Sequence, residues 1–278
     1  MTRPMPEPEA GCCLDIRVAD VGVAFAVSDD ELRASLADHY QGFLHDDAEA
    51  ELRIEVIVVP DLKEQPPSEE LRGHPWLDVT ARGDRIRVRR FDFDGEVDLA
   101  TGAATLACQR RPLSVDGFLR LCFSFLLIRR GGLMLHAASI ASGGRGHAFT
   151  GPSGAGKTTV CRLSGDRTVL TDETTIVRPG GRGYLVYGNP FPGELGRYGP
   201  NTSYPLASVN LLVKDRSHGV EELSRDQAVR ALLQNTFLHV RDSELTLQAF
   251  DAAFAIAREV PVRRLRFAPE PSFWEVIE

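Results

Sequence analysis

The sequence predicts an α/β fold, mixed α+β overall, in which a P-loop domain follows a smaller N-terminal module. Residues 151–158 (GPSGAGKT) fit the phosphate-loop pattern G-x-x-x-x-G-K-[ST]. Short alternating strand patterns fill most of the first 110 residues, and a strongly apolar helix begins near Ser114. The chain has 278 residues, enough for one large or two small domains. We therefore expect a mixed α+β module over 1–110 and a P-loop domain over 111–278.

Charge and cysteine content exclude several classes of partner and cofactor. The net charge is −7 at pH 7, whereas proteins that coat nucleic acid or anionic membranes need a basic surface. We therefore expect neither a nucleic-acid nor a membrane partner. The five cysteines form no CxxC pair and no zinc-like spacing, and Cys122 and Cys161 are expected to be buried in helices. Residues 1–9 carry three prolines and no apolar run, which indicates a frayed tail rather than a secretory signal, and hence a cytoplasmic location.

The N-terminal module is predicted from alternation and turn residues. A hairpin over 14–18 and 21–27 leads to a helix with Ser28 as N-cap and Glu31 at the capping-box position. This helix would bury Leu32, Leu36, Tyr40 and Phe43. The remaining segments are a strand over 50–59, a polar connection over 60–67, and a meander over 77–79, 85–88, 96–99 and 104–106 with turns at Gly83, Asp94-Gly95 and Gly102. No catalytic group of residues is visible, so we interpret the module as a scaffold or docking element.

The P-loop domain is predicted as a sheet with several helices. Apolar runs bounded by glycine and proline predict its elements. The predicted strands are 133–140, 147–150, 168–171, 184–187, 206–214 and 262–267. The predicted helices are 114–130, a short one after the phosphate loop, one that is opened by the Ser224 capping box and buries Val229, Leu232, Leu233 and Phe237, and one over 243–258 that runs through Leu245, Phe250, Phe254 and Ile256. A short segment over 273–277 would pack back on the sheet.

The phosphate loop predicts nucleotide binding because its glycines let backbone N–H groups turn toward phosphate oxygens. In this pattern the lysine, Lys157, reaches the β- and γ-phosphates and the hydroxyl of Thr158 holds Mg²⁺. The simpler interpretation is a glycine-rich turn that binds nothing. The candidate nucleotide-binding residues are Gly151, Pro152, Ser153, Gly154, Ala155, Gly156, Lys157, Thr158 and Thr159.

Two adjacent acids follow the loop at short range. Asp172 lies fifteen positions after Lys157, which leaves room for one minimal crossover between parallel strands. Asp172 and Glu173 would then lie at the carboxyl end of a strand beside the loop strand, on the phosphate side. Next to a metal ion, two such acids divide into a metal ligand and a group that receives the acceptor proton. The alternative is a solvated pair of acids at a strand end.

Four segments together resemble one known family: His136, residues 151–158, residues 170–173 (LTDE) and residues 188–191 (GNPF). They are similar to the catalytic domain of the HPr kinase/phosphorylase superfamily, and more closely to bacterial HPr-kinase-related proteins that phosphorylate peptide serines. The superfamily shares its P-loop core with the phosphoenolpyruvate carboxykinases. The resemblance covers about residues 131–213 and continues more weakly to the C-terminus.

The resemblance implies roles for individual residues. Asp172 resembles the acid that takes the proton from the acceptor hydroxyl, Glu173 a neighbouring acid near the metal, and His136 a residue on the γ-phosphate side. From its apolar strand alone, His136 is also explained as a hydrogen-bonded core residue. The family's Glu-Ile-Arg-Gly signature has a partial counterpart in residues 194–197 (ELGR). The loop over 188–197 is a candidate wall of the acceptor site, and Arg197 either stabilises the transferred phosphate or is a solvated surface residue.

The resulting expectation is an ATP-dependent kinase that uses Mg²⁺ and acts on a serine-like hydroxyl of a peptide, protein or small molecule. A nucleotide-binding regulatory or assembly protein, without transfer to an acceptor, is the alternative. Carboxykinase-like chemistry is a third option, although its additional metal ligands and substrate arginines are not identifiable here. The sequence leaves open the acceptor, the base of the nucleotide and whether the chain forms a homo-oligomer.

Overall fold

The computed structural model describes residues 13–46, 49–60, 62, 77–239 and 242–278. The predicted tail, Cys12 and most of the predicted connection over 60–67 lie outside the described residues. The chain divides into two compact units, Met1–Cys122 and Phe123–Glu278. The dividing point falls inside helix α2 (Pro112–Arg129), whereas the sequence places the boundary just before this helix. Among the described residues, no helix is both long and apolar enough to cross a bilayer.

The first unit contains a mixed sheet. Its described strands are β1 (Cys13–Val18), β2 (Val21–Val27), β3 (Leu52–Val58), β4 (Asp78–Arg82), β5 (Arg85–Arg90), β6 (Phe93–Asp98) and β7 (Ala103–Cys108). They lie in the order β1-β2-β3-β7-β6-β5-β4. Helix α1 (Asp30–His39) connects β2 to β3, which are parallel, and a 3₁₀ segment (Gln41–Phe43) follows it. The predicted hairpin is confirmed, because β1 and β2 pair antiparallel.

Two local predictions in this unit were wrong. The N-cap of α1 is Asp29 and not Ser28, since the Asp29 side chain accepts the Leu32 N–H at 2.8 Å. The turn predicted at Asp94-Gly95 is also misplaced, because both residues lie within β6. A Cβ at position 95 would lie 2.5 Å from the Phe118 ring, so this glycine serves close packing against α2 and not a turn.

The second unit is richer in strands. Its described strands are β8 (Leu133–Ser142), β9 (Arg145–Thr150), β10 (Thr168–Thr171), β11 (Thr174–Pro179), β12 (Tyr184–Tyr187), β13 (Ser203–Lys214), β14 (Gly219–Glu222) and β15 (Val262–Phe267). Its helices after α2 are α3 (Lys157–Arg162), α4 (Arg225–Gln234) and α5 (Ser243–Glu259), with a 3₁₀ segment at Pro271–Val276. Strands β10, β12 and β15 have the predicted bounds. Strand β11 was not predicted. The protein is therefore of mixed α+β class.

Five of these strands form a closed ring. Strand β8 pairs with β11, β11 with β12, β12 with β13, β13 with β9, and β9 with β8. Strand β10 pairs with β8 outside this ring, and β15 and β14 extend the sheet from β13. The expectation that β10 lies directly beside the loop strand was wrong, because β8 separates β10 from β9. Strand β8 is long enough to pair with β9, β10 and β11.

The core of this unit lies between the sheet, α3 and the C-terminal segment. Phe273 and Trp274 are buried with Phe149 and Val160, which confirms that the C-terminal segment packs back on the sheet. The Ser224 capping box of α4 is also confirmed. The helix predicted over 243–258 is confirmed as α5. Phe250 and Phe254 are exposed, because α5 buries a stripe of mainly small residues: Leu245, Ala249, Ala252, Ala253 and Ile256.

Candidate functional site

The phosphate-loop sequence adopts the strand, loop and helix order that the motif requires. Strand β9 ends at Thr150 and helix α3 begins at Lys157. Gly154 and Gly156 have φ angles of 75° and 114°, in the region where a side chain is strained. A Cβ at Gly156 would also lie 3.1 Å from the Phe267 ring. The backbone of the loop therefore depends on its glycines.

Lys157 is folded back onto the loop. Its Nζ donates hydrogen bonds to the carbonyl oxygens of Gly151 at 3.0 Å and Pro152 at 3.3 Å. The side chain is 8% exposed, and burial lowers the pKa of this lysine while the charges of Glu173 and Glu194 raise it. The ammonium group is thus held at the loop by two neutral acceptors, which an anionic phosphate oxygen can replace with a stronger charge-assisted contact.

Thr158, the candidate metal ligand of the loop, contacts a residue that the sequence analysis assigned no role. Its Oγ1 donates to Oε2 of Glu194 at 2.9 Å. Both atoms are hard oxygen donors, which Mg²⁺ prefers, and Mg²⁺ is usually held by one or two protein oxygens together with nucleotide phosphates. This donor set fits the ion. Among the described residues, no group of three or more His, Cys, Asp or Glu side chains is arranged to hold a metal by itself.

The two acids lie in the tight connection between β10 and β11. The Thr171 hydroxyl accepts the backbone N–H groups of Glu173 and Thr174 at 3.3 and 3.1 Å, which reverses the chain within two residues. Asp172 is 4% exposed and Glu173 is half-buried. The backbone carbonyl of Glu173 accepts the Ala137 N–H at 3.0 Å, so this turn is anchored to β8.

His136 lies on β8, opposite Thr174 of β11. Its backbone is fixed on both sides, because its N–H donates to the Asn235 carbonyl at 2.7 Å and its carbonyl accepts from Thr150 Oγ1 at 3.0 Å. Burial and then the charge of Lys157 lower the pKa of the ring, while Glu173 raises it. His136 is therefore neutral at pH 7 and can donate or accept one hydrogen bond there.

A single pocket of about 220 Å³ brings most of the candidate residues together. It is lined by His136, Ser153, Gly154, Gly156, Lys157, Thr158, Thr159, Arg162, Asp172, Glu173 and Glu194. Gly151, Pro152 and Ala155, which were also expected to contact nucleotide, are not in this lining; the first two hold Lys157, and Ala155 is buried in the core. Arg197 is exposed and outside the lining.

The loop between β12 and β13 supplies Glu194 and is organised by Asn189, which is fully buried. The Asn189 Nδ2 donates to the Thr174 carbonyl at 2.7 Å, and its Oδ1 accepts the Phe191 N–H at 3.1 Å. The backbone carbonyl of Asn189 accepts the Gly199 N–H at 3.0 Å. The glycines and prolines of this segment predict a shaped loop, but no role was predicted for Asn189, Glu194 or Arg162 individually. The one available signal was the partial Glu-Leu-Gly-Arg counterpart of the kinase signature.

Fold and pocket together define a mixed α+β protein whose second unit carries a P-loop sequence in its strand, loop and helix setting. A family model described as SynChlorMet cassette protein ScmC matches residues 119–278, which is more than half of the chain. The chain belongs to this family. The description names a cassette and states no activity, and the matched residues include the whole pocket. No curated protein matches the sequence.

Proposed function

We propose that this chain is an ATP-dependent kinase with a P-loop core of the HPr kinase/phosphoenolpyruvate carboxykinase type. With Mg²⁺, it would transfer the γ-phosphoryl group of ATP to a serine-like hydroxyl of a peptide, protein or small molecule. The observation that carries the proposal is that Lys157 and Thr158 share one pocket with the adjacent acids Asp172 and Glu173. Phosphoryl transfer needs mainly positioning and charge neutralisation, and this set of groups suits both.

The role of each group in the proposed transfer follows from its chemistry. Lys157 is the cation that can contact the terminal phosphates once it leaves the carbonyls of Gly151 and Pro152. Mg²⁺, when bound, would supply further positive charge at the phosphates, and the Thr158 hydroxyl with a neighbouring carboxylate suits its preference for oxygen. His136, neutral at pH 7, adds a hydrogen-bonding group without adding charge. An acid beside the acceptor would receive its proton late in a loose transition state.

The regulatory alternative has a specific observation in its favour. Both carboxylate oxygens of Asp172 accept backbone N–H groups, and Thr158 is bonded to Glu194. In a protein that only senses nucleotide, binding at the loop would break the Thr158–Glu194 contact and move the segment that carries Glu194. Such a protein would bind MgATP and change a partner surface without labelling any acceptor.

The test combines binding with transfer in the full-length protein. We expect the wild-type chain to bind MgATP in calorimetry and to transfer ³²P from [γ-³²P]ATP to a component of a lysate from the source organism. Lys157→Ala should weaken MgATP binding by about 100-fold and abolish transfer, because it removes a charge-assisted contact to phosphate. Lys214→Ala, which removes an exposed lysine outside the pocket, is the matched control and should change neither.

The outcomes separate the two functions. MgATP binding without any labelled acceptor, together with nucleotide-dependent complex formation, would favour the regulatory protein. If Lys157→Ala and Lys214→Ala bind MgATP as the wild-type chain does, or if none of the three binds it, the P-loop pocket is not a nucleotide site and both functions are excluded.

A further inference from the structure

The adjacent acids Asp172 and Glu173 differ in what their carboxylates contact. In Asp172, Oδ1 accepts the Gly193 N–H at 3.2 Å and Oδ2 accepts the Leu195 N–H at 2.8 Å. The side chain is 4% exposed. Both oxygens thus accept from one segment, residues 193–195, and an acceptor hydroxyl at Asp172, which also lines the pocket, would have to share an oxygen that this segment already engages.

Close packing at position 193 gives independent support for this contact. A Cβ on Gly193 would lie 2.6 Å from Asp172 Oδ1 and 2.7 Å from the Cβ of Glu173. These distances are shorter than any ordinary van der Waals contact, so only glycine allows the segment to come so close to the acids. On its other side the same segment contacts α3 through the bond between Glu194 and Thr158. The segment is therefore fixed between the strand-end acids and the phosphate-loop helix.

Glu173 differs from Asp172 in the contacts of its carboxylate. Its backbone is anchored by Thr171 Oγ1 and Ala137 N, but within the part of the chain that the structure describes no donor is bonded to its carboxylate. The side chain lines the pocket, and its charge acts on both Lys157 and His136, the two groups expected at the terminal phosphate. Both acids line the pocket, but among the described residues only the Asp172 carboxylate accepts hydrogen bonds, one on each oxygen, while that of Glu173 has none.

We infer that Asp172 is a positioning residue that holds segment 193–195 over the pocket, and that Glu173 is the carboxylate that acts on the acceptor hydroxyl. This inference rests on the proposed kinase function and reverses the roles that the family resemblance implies. In the reaction, the acceptor oxygen forms a bond to the γ-phosphorus while its proton passes to the Glu173 carboxylate. The bond from the γ-phosphorus to the β,γ-bridging oxygen breaks, and its electron pair leaves with ADP.

The experiment compares three variants of the full chain: Asp172→Asn, Glu173→Gln and Gly193→Ala. Amide hydrogen exchange of peptides covering residues 190–200 reports the loop, and release of ³²P-phosphate from [γ-³²P]ATP, with water as the acceptor, reports transfer. Asp172→Asn and Gly193→Ala should both raise exchange at residues 193 and 195 by at least about tenfold, since an opening free energy lower by 1.4 kcal/mol gives that factor. Glu173→Gln should leave exchange unchanged and lower phosphate release by about 100-fold or more, the usual size of a general-base effect.

Gly193→Ala makes the test decisive even if Asp172→Asn does not fold, because it disturbs the contact and keeps both acids. The inference is overturned if Asp172→Asn abolishes phosphate release while exchange at 193 and 195 stays as in the wild-type chain. It is also overturned if Glu173→Gln retains the wild-type rate. If the wild-type chain binds MgATP but neither releases phosphate nor labels an acceptor, the role of Glu173 fails together with the kinase, while the exchange data still decide the role of Asp172.

Discussion

Two groups of polar residues in the second unit each contain a histidine, and the pocket at the phosphate loop is lined by His136 and not by His147. His136 lies with Lys157 and Glu173 around the phosphate loop, where charged side chains face open space. His147 is 6% exposed, its Nδ1 lies 3.0 Å from Ser208 Oγ, and its ring packs edge-on against Trp274. A histidine with polar partners therefore indicates a site only where those partners leave room for a ligand. His147 and its partners are instead part of the core.

Trp274→Ala tests whether His147 and its partners are part of the core, and it should have the largest effect, on the free energy of unfolding. The indole contacts His147, Phe149 and Phe273, and its Nε1 donates to Ser164 Oγ at 3.2 Å. We expect the free energy of unfolding in urea to fall by about 4 kcal/mol, as for other buried tryptophans. The exposed Phe250→Ala is the control and should change it by less than about 1 kcal/mol. Equal losses in both variants would contradict the proposed core.

The pH dependence of stability tests His147 itself. Burial lowers its pKa from 6.5 to about 4 in the folded chain, with Glu278 opposing this change and Arg145, Arg263 and Arg167 adding to it. Between pH 6.5 and 4 the unfolded chain therefore binds a proton that the folded chain does not bind. Stability from this group is complete above pH 6.5 and falls as the pH drops toward 4, by up to roughly 3 kcal/mol.

His147→Gln should remove that part of the pH dependence while keeping a hydrogen-bonding group for Ser208. The measurement is urea unfolding of both proteins at several values between pH 4 and 7.5. Carboxylates titrate in both proteins, so the relevant quantity is the difference between the two curves. Parallel curves would show that His147 is not buried as a neutral ring.

Thr158→Val tests the pocket at the phosphate loop, and its effect should be smaller than those of the changes at Trp274 and His147. It removes the hydroxyl that donates to Glu194 and keeps the size of the side chain. We expect about tenfold weaker MgATP binding, equal to 1.4 kcal/mol, and little change for ATP in EDTA, because the hydroxyl acts through the metal. Thr158→Ser should retain wild-type affinity. The same loss with and without Mg²⁺ would remove the hydroxyl from the metal site.

His136→Gln should have the smallest effect. Burial and Lys157 lower the pKa of this ring, so it carries no charge at pH 7, and glutamine keeps a hydrogen-bonding side chain. We expect MgATP affinity at pH 7 to change by less than about threefold, which is under 1 kcal/mol. A tenfold loss would mean that the ring is protonated in the complex and contributes charge.

Most of the fold was predictable because its signals are local. Capping at Ser224, the strand at β15 and the loop at 151–158 depend on residues within a few positions of one another. Strand β11 was missed because most of it is buried on both faces, so it lacks alternation, and because it follows β10 after a two-residue turn without glycine or proline. The buried face of α5 was not predicted, because three of its five buried residues are alanines while Phe250 and Phe254 are exposed.

The candidate site was predictable only in part, because only some of its signals are local in the sequence. The loop residues and the two acids are marked by short motifs, whereas the contacts of Glu194 with Thr158 and of Asp172 with Leu195 join positions 36 and 23 residues apart. No local pattern predicts which of two neighbouring carboxylates a distant loop will bind. The position of β8 between β10 and β9 was missed too, because strand order depends on pairing between segments and not on their individual sequences.

The closed ring of strands determines where this molecule can change during evolution. Strand β9 has neighbours on both sides, so its end cannot shift without opening two ladders of hydrogen bonds at once. Insertions there would disrupt the ring, whereas the connection over 188–202 leaves one strand and returns to the next outside regular pairing. We therefore expect relatives that recognise different molecules to differ in the length and chemistry of that connection, while the strand beneath the phosphate loop keeps its length.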